Sequence, residues 1–173
     1  MGTCDNFDPI NGGFKVYEYT VVGVIGKNRN SPGVKILDIP TRENSVAPPQ
    51  RSGRSVAYLS IDRKTGNIEC LKFYRNHEGW REIHFHKEGE ENPTGTVHWH
   101  QYIKKGPNEY KRTPAAAIPR WLRKQNKPLL KKIQRWNRKH GDPNFKLKYD
   151  FKVREKKKRG KKNRGKKKEG NNE

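Results

Sequence analysis

The stretch Arg81–Ile103, REIHFHKEGEENPTGTVHWHQYI, decides how this chain folds. Two segments within it, Arg81–Lys87 and Thr96–Ile103, carry the same alternation of apolar residues and histidines, written I-H-F-H and V-H-W-H. A period of two belongs to a strand with two different faces. The polar loop between them centres near Asn92-Pro93, and a proline without an amide proton suits a loop rather than a ladder. The two segments therefore read as an antiparallel hairpin. A register symmetric about Asn92 sets His84 opposite His100 and His86 opposite His98. Directly opposed side chains have Cβ atoms roughly 5 Å apart, so four imidazoles gather on one face. Ile83, Phe85, Val97 and Trp99 turn the other way, toward a core.

Working outward, Ser55–Asp62 and Asn67–Tyr74 form a second hairpin around Arg63-Lys64-Thr65-Gly66, where Gly66 supplies a positive φ. Val16–Ile25 and Val34–Ile39 are β-branched and strand-like, and Thr41–Arg54 is a loop. Residues 1–15 read as an irregular lead-in. After residue 113 the period changes. Thr113-Pro114 reads as a helix cap. Pro119 confines that first helix to a short turn or begins another at Arg120–Gln125. Pro128 opens a longer helix with the stripe Leu129, Leu130, Ile133 and Trp136, which Gly141-Asp142-Pro143 ends. Phe145, Leu147, Tyr149, Phe151 and Val153 then alternate with mostly cationic residues, as a half-buried strand would. Residues 154–173 hold 11 Lys and Arg and no apolar side chain, so they read as a disordered tail. The expectation is a single α+β domain over 16–153. It has a small antiparallel sheet built from hairpins at about 55–74 and 81–103, one or two helices at about 114–140 and a C-terminal strand at 145–153.

Charge divides the chain. Its net of +22 is concentrated after residue 100: residues 1–100 carry +1 and residues 101–173 carry +21. A surface that positive attracts polyanions and releases counterions from a phosphate backbone. Nucleic acid, with RNA favoured over DNA, is the expected partner. Candidate contacts are Lys104, Lys105, Arg120, Trp121, Arg123, Lys124, Lys131, Lys132, Arg135 and Arg138, with Trp121 and Trp136 available to stack on bases. The bland assignment of Trp136, to the helix's core stripe, is the favoured one. No stretch approaches the roughly 18 apolar residues of a membrane span, and no export signal is visible near Met1. Cys4 and Cys70 read as free thiols in a reducing compartment, so the chain is expected in the cytoplasm.

Clustered histidines suit two chemistries. His84, His86, His98 and His100 are the candidate catalytic residues for metal-independent RNA cleavage. One neutral imidazole takes the 2′-hydroxyl proton and a protonated one serves the leaving oxygen. Lys87, Lys104 or Lys105 would steady the phosphorane. This route needs no cofactor and assigns no metal ligand. The alternative is a metal-dependent nuclease, with three or four histidines around an ion and Glu82 or Glu88 as ligand or base. A third reading is a non-catalytic basic protein of phage, plasmid or ribosome-associated type. His77 reads as an exposed turn residue and His140 as a cation at a helix C-terminus.

The run from Val56 to Tyr102 contains Y-x-x-x-D-x-x-T-G-N-I, then F-Y-R-N-H, I-H-F-H and V-H-W-H-Q-Y. It resembles the C-terminal ribonuclease domains of bacterial polymorphic toxins. The resemblance implies a compact α+β fold of the barnase-like or RelE-like kind and an endoribonuclease activity carried by His84, His86, His98 and His100. An acidic neutralising protein is added as a partner. Val97 stands where those domains commonly carry a proline.

Overall fold

The computed structural model describes residues 6–10, 13–16, 19–39, 48, 50–52, 56–86, 94–107 and 109–152. Cys4, Lys87, Glu88, the Asn92-Pro93 loop, Val153 and the basic tail at 154–173 lie outside the described residues.

The chain forms β1 (Asn6–Ile10), β2 (Gly13–Val16), β3 (Thr20–Ile25), β4 (Val34–Asp38), β5 (Arg51–Ser52), β6 (Ala57–Ile61), β7 (Ile68–Arg75), β8 (Glu78–His84), β9 (His98–Gly106), β10 (Glu109–Arg112) and β11 (Ala116–Ala117). Two helices follow, α1 (Arg120–Gln125) and α2 (Lys127–His140). The architecture is α+β. The main path of the sheet runs β2-β1-β5-β8-β7-β6-β4-β3, with β9 added on β8 and both β10 and β11 on β9. The strands pair antiparallel except β4 with β6.

Local chemistry sets the two hairpins at the centre. In the β6–β7 turn the Asp62 carboxylate accepts from the Lys64 amide at 2.7 Å, and the Asp62 carbonyl accepts from the Gly66 amide at 2.8 Å. Gly66 takes φ +71°, as its place in the sequence implies. The β7–β8 turn places Asn76 and His77 at φ +50° and +66°. Both types tolerate the left-handed region better than most, and a two-residue hairpin turn needs it twice. His77 is exposed there.

The sheet is covered unequally on its two faces. One face carries Ile36, Leu59, Leu71, Ile83, Phe85 and Val97, packed against Leu122 of α1, Leu130 and Ile133 of α2, and Phe145. The other carries a small apolar group, Leu37, Ile39, Tyr58 and Tyr74, and beyond it a buried polar band. Trp136 packs against the helix-side core, which bears out the bland assignment. Its ring lies so close over Gly23 that a Cβ there would sit 2.6 Å from it, so β3 needs a glycine at this point. Asn137, also buried, fixes the helix to β7. Its side chain accepts from the Ile68 amide at 2.6 Å and donates to the Ile68 carbonyl at 3.1 Å.

Four expectations are corrected, besides that of a loop over Thr41–Arg54, where Arg51–Ser52 pair with β1 and β8 as β5. Residues 1–15 contain β1 and β2, paired with each other; backbone ladder bonds form there despite a composition rich in Gly, Asn and Asp. Residues 114–119 are not helical. Ala116–Ala117 pair with Trp99 and His98 of β9, and α1 begins only after Pro119. The described part of the segment expected as a strand at 145–153, residues 145–152, is not one: among the described residues its ladder contact is the single bridge between Lys148 and Thr96. Its alternation reports burial of an extended chain that rounds the sheet, with Phe145 in the helix-side core and Phe151 on the far side against His98. The β8–β9 register is the fourth. His84 faces His98, and His100 faces Glu82. A shift of two residues keeps every side chain on its face, so the alternation of the sequence fits both registers equally.

Candidate functional site

Strand alternation delivers the site. On the face away from the helices, one row across the sheet reads Ser60, Cys70, His84, His98, and the next reads Tyr58, Lys72, Glu82, His100. The four histidines meet as the sequence implies. Ring centroids lie 5.1 Å apart for His84–His86 and His98–His100, 5.2 Å for His84–His98 and 5.3 Å for His86–His98. This face is not open to solvent. His84, His98 and His100 are 5%, 1% and 2% exposed, and only His86 is half-buried. Phe151 stacks on His98 at 5.0 Å, and Arg112 and Thr113 close over the β9 side.

Hydrogen bonds orient the rings. His84 Nε2 stands 3.0 Å from Glu82 Oε1, and its Nδ1 stands 3.0 Å from His86 Nε2. His86 Nε2 is 3.5 Å from Glu69 Oε1. His100 donates from Nδ1 to the Thr113 carbonyl at 2.8 Å. His98 Nδ1 is buried with no hydrogen-bond partner among the described residues. Glu82 is the hub of the band. Arg112 Nε lies 2.5 Å from Oε1, the Tyr102 hydroxyl donates to Oε2 at 2.9 Å, and Lys72 Nζ is 3.9 Å from Oε2.

Burial and charge set the protonation states. Burial alone would push the Glu82 carboxyl up, but His84, Lys72 and Arg112 hold it well below the usual carboxylate range. Burial lowers His84 to about 4 against the pull of Glu82, and lowers His98 to about 3 with help from the neighbouring imidazoles. Both rings are therefore neutral near pH 7, with lone pairs for a proton or a metal and no proton to give. Burial and the nearby Asp62 raise Glu69 to about 8. Burial also pushes the Cys70 thiol and the Tyr102 phenol up.

The sequence reading missed Glu69, Lys72, Tyr102 and Arg112. Alternation with Cys70 and Glu82 offers a signal for Lys72. Glu69 sits beside the irregularity between Ser60 and Ile61 of β6, where parity arguments break down. Arg112 comes from a strand the sequence did not announce.

The basic candidates lie elsewhere. Arg120, Trp121 and Lys124 of α1 are exposed, as are Lys131, Lys132 and Arg135 of α2. Arg138 donates to the Phe145 carbonyl at 2.9 Å, and Arg123 lies over the Tyr149 ring at 4.8 Å. Lys104 pairs with Glu78 at 2.7 Å, while Lys105 is exposed. The helices and the histidines thus occupy opposite faces of the sheet. An open groove of about 310 Å³ lies between α2 and the end of β3, lined by Val24, Ile25, Gly26, Lys132, Arg135, Trp136, Lys139 and His140. His140 stacks on Trp136 there at 4.0 Å.

Among the described residues, no helix is long and apolar enough to cross a membrane. No family model matches the chain, and no curated protein or solved structure matches it.

Proposed function

We propose that this protein is a cytoplasmic RNA-binding protein that holds phosphates on the outer surface of α1 and α2. One observation carries the reading: Lys132, Arg135 and Lys139 border a groove that also presents the stacked pair Trp136 and His140. Cations beside an aromatic surface suit an unpaired nucleotide, whose base lies on the ring while its phosphate meets the charge. Unpaired bases are the common targets in RNA, which favours it over DNA. Anisotropy titration of labelled single-stranded RNA and duplex DNA over a range of salt tests this. Binding to RNA should weaken linearly in log–log form. The triple change Lys132→Gln, Arg135→Gln and Lys139→Gln should reduce the slope by about 2 for a single strand. An unchanged slope, or no binding at low salt, overturns the assignment.

Cleavage by the histidine face is the second reading, favoured by the gathering of four imidazoles with ring centroids as close as 5.1 Å. In a metal-free mechanism His84 or His98, being neutral, would serve as base, and the acid must be another group of the cluster. The resemblance to toxin ribonucleases supports this version and adds an acidic neutralising protein as partner. RNA products ending in 2′,3′-cyclic phosphate, formed equally with chelator present, are its expected signature. Cleavage abolished by chelator would instead assign the chemistry to a metal-dependent nuclease. Intact RNA under both conditions would leave a non-catalytic binding protein.

A further inference from the structure

We propose that His84, His86 and His98 form a binding site for one divalent zinc-type ion. The inference does not depend on RNA binding, because the site lies on the opposite face of the sheet from α2. Ligand atoms of these three residues all lie within 4.8 Å of one another. Two nitrogens bound about 2.0–2.1 Å from a tetrahedral ion are roughly 3.3 Å apart. His84 Nδ1 and His86 Nε2 are already 3.0 Å apart, so small ring rotations bring them to a shared ion. The third ring supplies the independent observation: His98 is 1% exposed, and its Nδ1 has no hydrogen-bond partner among the described residues. A buried imidazole nitrogen left without a partner is costly, and a shared cation satisfies it.

The surroundings fit a ligand set as well. With Nδ1 turned to the ion, His84 would donate from Nε2 to Glu82, 3.0 Å away, and Arg112 Nη2, now 3.1 Å from that nitrogen, would turn from it to the carboxylate. Metal-binding histidines commonly make this carboxylate contact, which fixes the tautomer and strengthens the donor. Tyr102 and Arg112 in turn hold Glu82 in place. Three imidazoles leave a fourth position, and the Glu69 carboxyl group stands beside His86. A neighbouring triad, Cys70, Glu82 and His84, also has the required spacing. It is the poorer set, because the Glu82 oxygens are already engaged by Arg112 and Tyr102. Neutral nitrogen donors with one position open suit Zn²⁺, and Co²⁺ as its spectroscopic substitute.

The test uses the full chain and the ions alone. Chelator-treated protein is titrated with Co²⁺ and then with Zn²⁺. One equivalent of Co²⁺ should produce the intense visible bands of a tetrahedral site, and one equivalent of Zn²⁺ should bleach them. His86→Ala removes the half-buried ligand and should reduce affinity at least a hundredfold, while circular dichroism shows a folded chain. His77→Ala and His140→Ala should leave affinity unchanged. Glu82→Gln should retain the bands and lower affinity by about 10- to 100-fold, as expected of a positioning residue. Wild-type protein that takes up neither ion overturns the proposal. So does a Co²⁺ spectrum with a thiolate charge-transfer band that Cys70→Ser removes, since that outcome places the ion on the other triad.

Discussion

The two faces of this sheet solve the same problem by different physics. The helix face excludes water chiefly with hydrocarbon: Ile83, Phe85 and Val97 pack on Leu130 and Ile133, and the buried Asn137 meets the Ile68 backbone. The opposite face also excludes water, but around histidines, a carboxylate and two cations. Every group there must be paired or held neutral. The sheet has the same strands on both sides and differs only in the parity of its residues. A folded core tolerates such a polar band when its members satisfy one another, and a polar band kept at that cost is more informative about function than the apolar core behind it.

Substitutions on the two faces should fail in different ways. Phe85→Ala leaves a cavity on the helix face and should cost about 3–5 kcal/mol in denaturant unfolding. The loss should be equal with and without chelator; a loss that appears only with metal present would break the distinction between the faces. Glu82→Gln removes the buried carboxylate that faces Arg112 and Lys72 and should cost about 3 kcal/mol. That destabilisation should be relieved when Lys72 is replaced by Met in the same chain, because the buried cation facing the altered side chain is then gone. If the double variant is no better than the single one, Lys72 is not the cause. Asn137→Ala strips two partners from the Ile68 backbone and should cost about 2 kcal/mol, chiefly by loosening α2 from β7. Hydrogen exchange of the Ile68 amide should then rise. Lys105→Gln, on an exposed strand end, should change stability by less than about 0.5 kcal/mol. A larger change would mean that this lysine belongs to one of the two networks.

Much of the site was legible from Arg81–Ile103 because a strand's two-residue period sorts side chains without reference to anything distant. It placed His84, His86, His98 and His100 on one face and Ile83, Phe85 and Val97 on the other. It did not specify register, since a slip of two residues conserves the sorting. The mistaken strand at 145–153 has a related cause. Phe145 and Leu147 pack on the helix-side core and Phe151 against His98 while the lysines between them face solvent, and a chain wrapping an edge can show the same pattern as a ladder. The helix expected from Thr113-Pro114 failed because pairing of Ala116–Ala117 with β9 outweighed a local capping signal.

By itself, then, the sequence determined the α+β class, the central hairpins, α2 and the gathering of the four histidines. Each follows from local periodicity or from a turn residue with few alternatives. Tertiary structure alone decided that the histidine face is buried, that Arg112 and Glu82 govern its charge, and that the cationic helix stands on the other side of the sheet. Those outcomes depend on which distant segment covers which face, and residue period carries no information about the partner that does the covering.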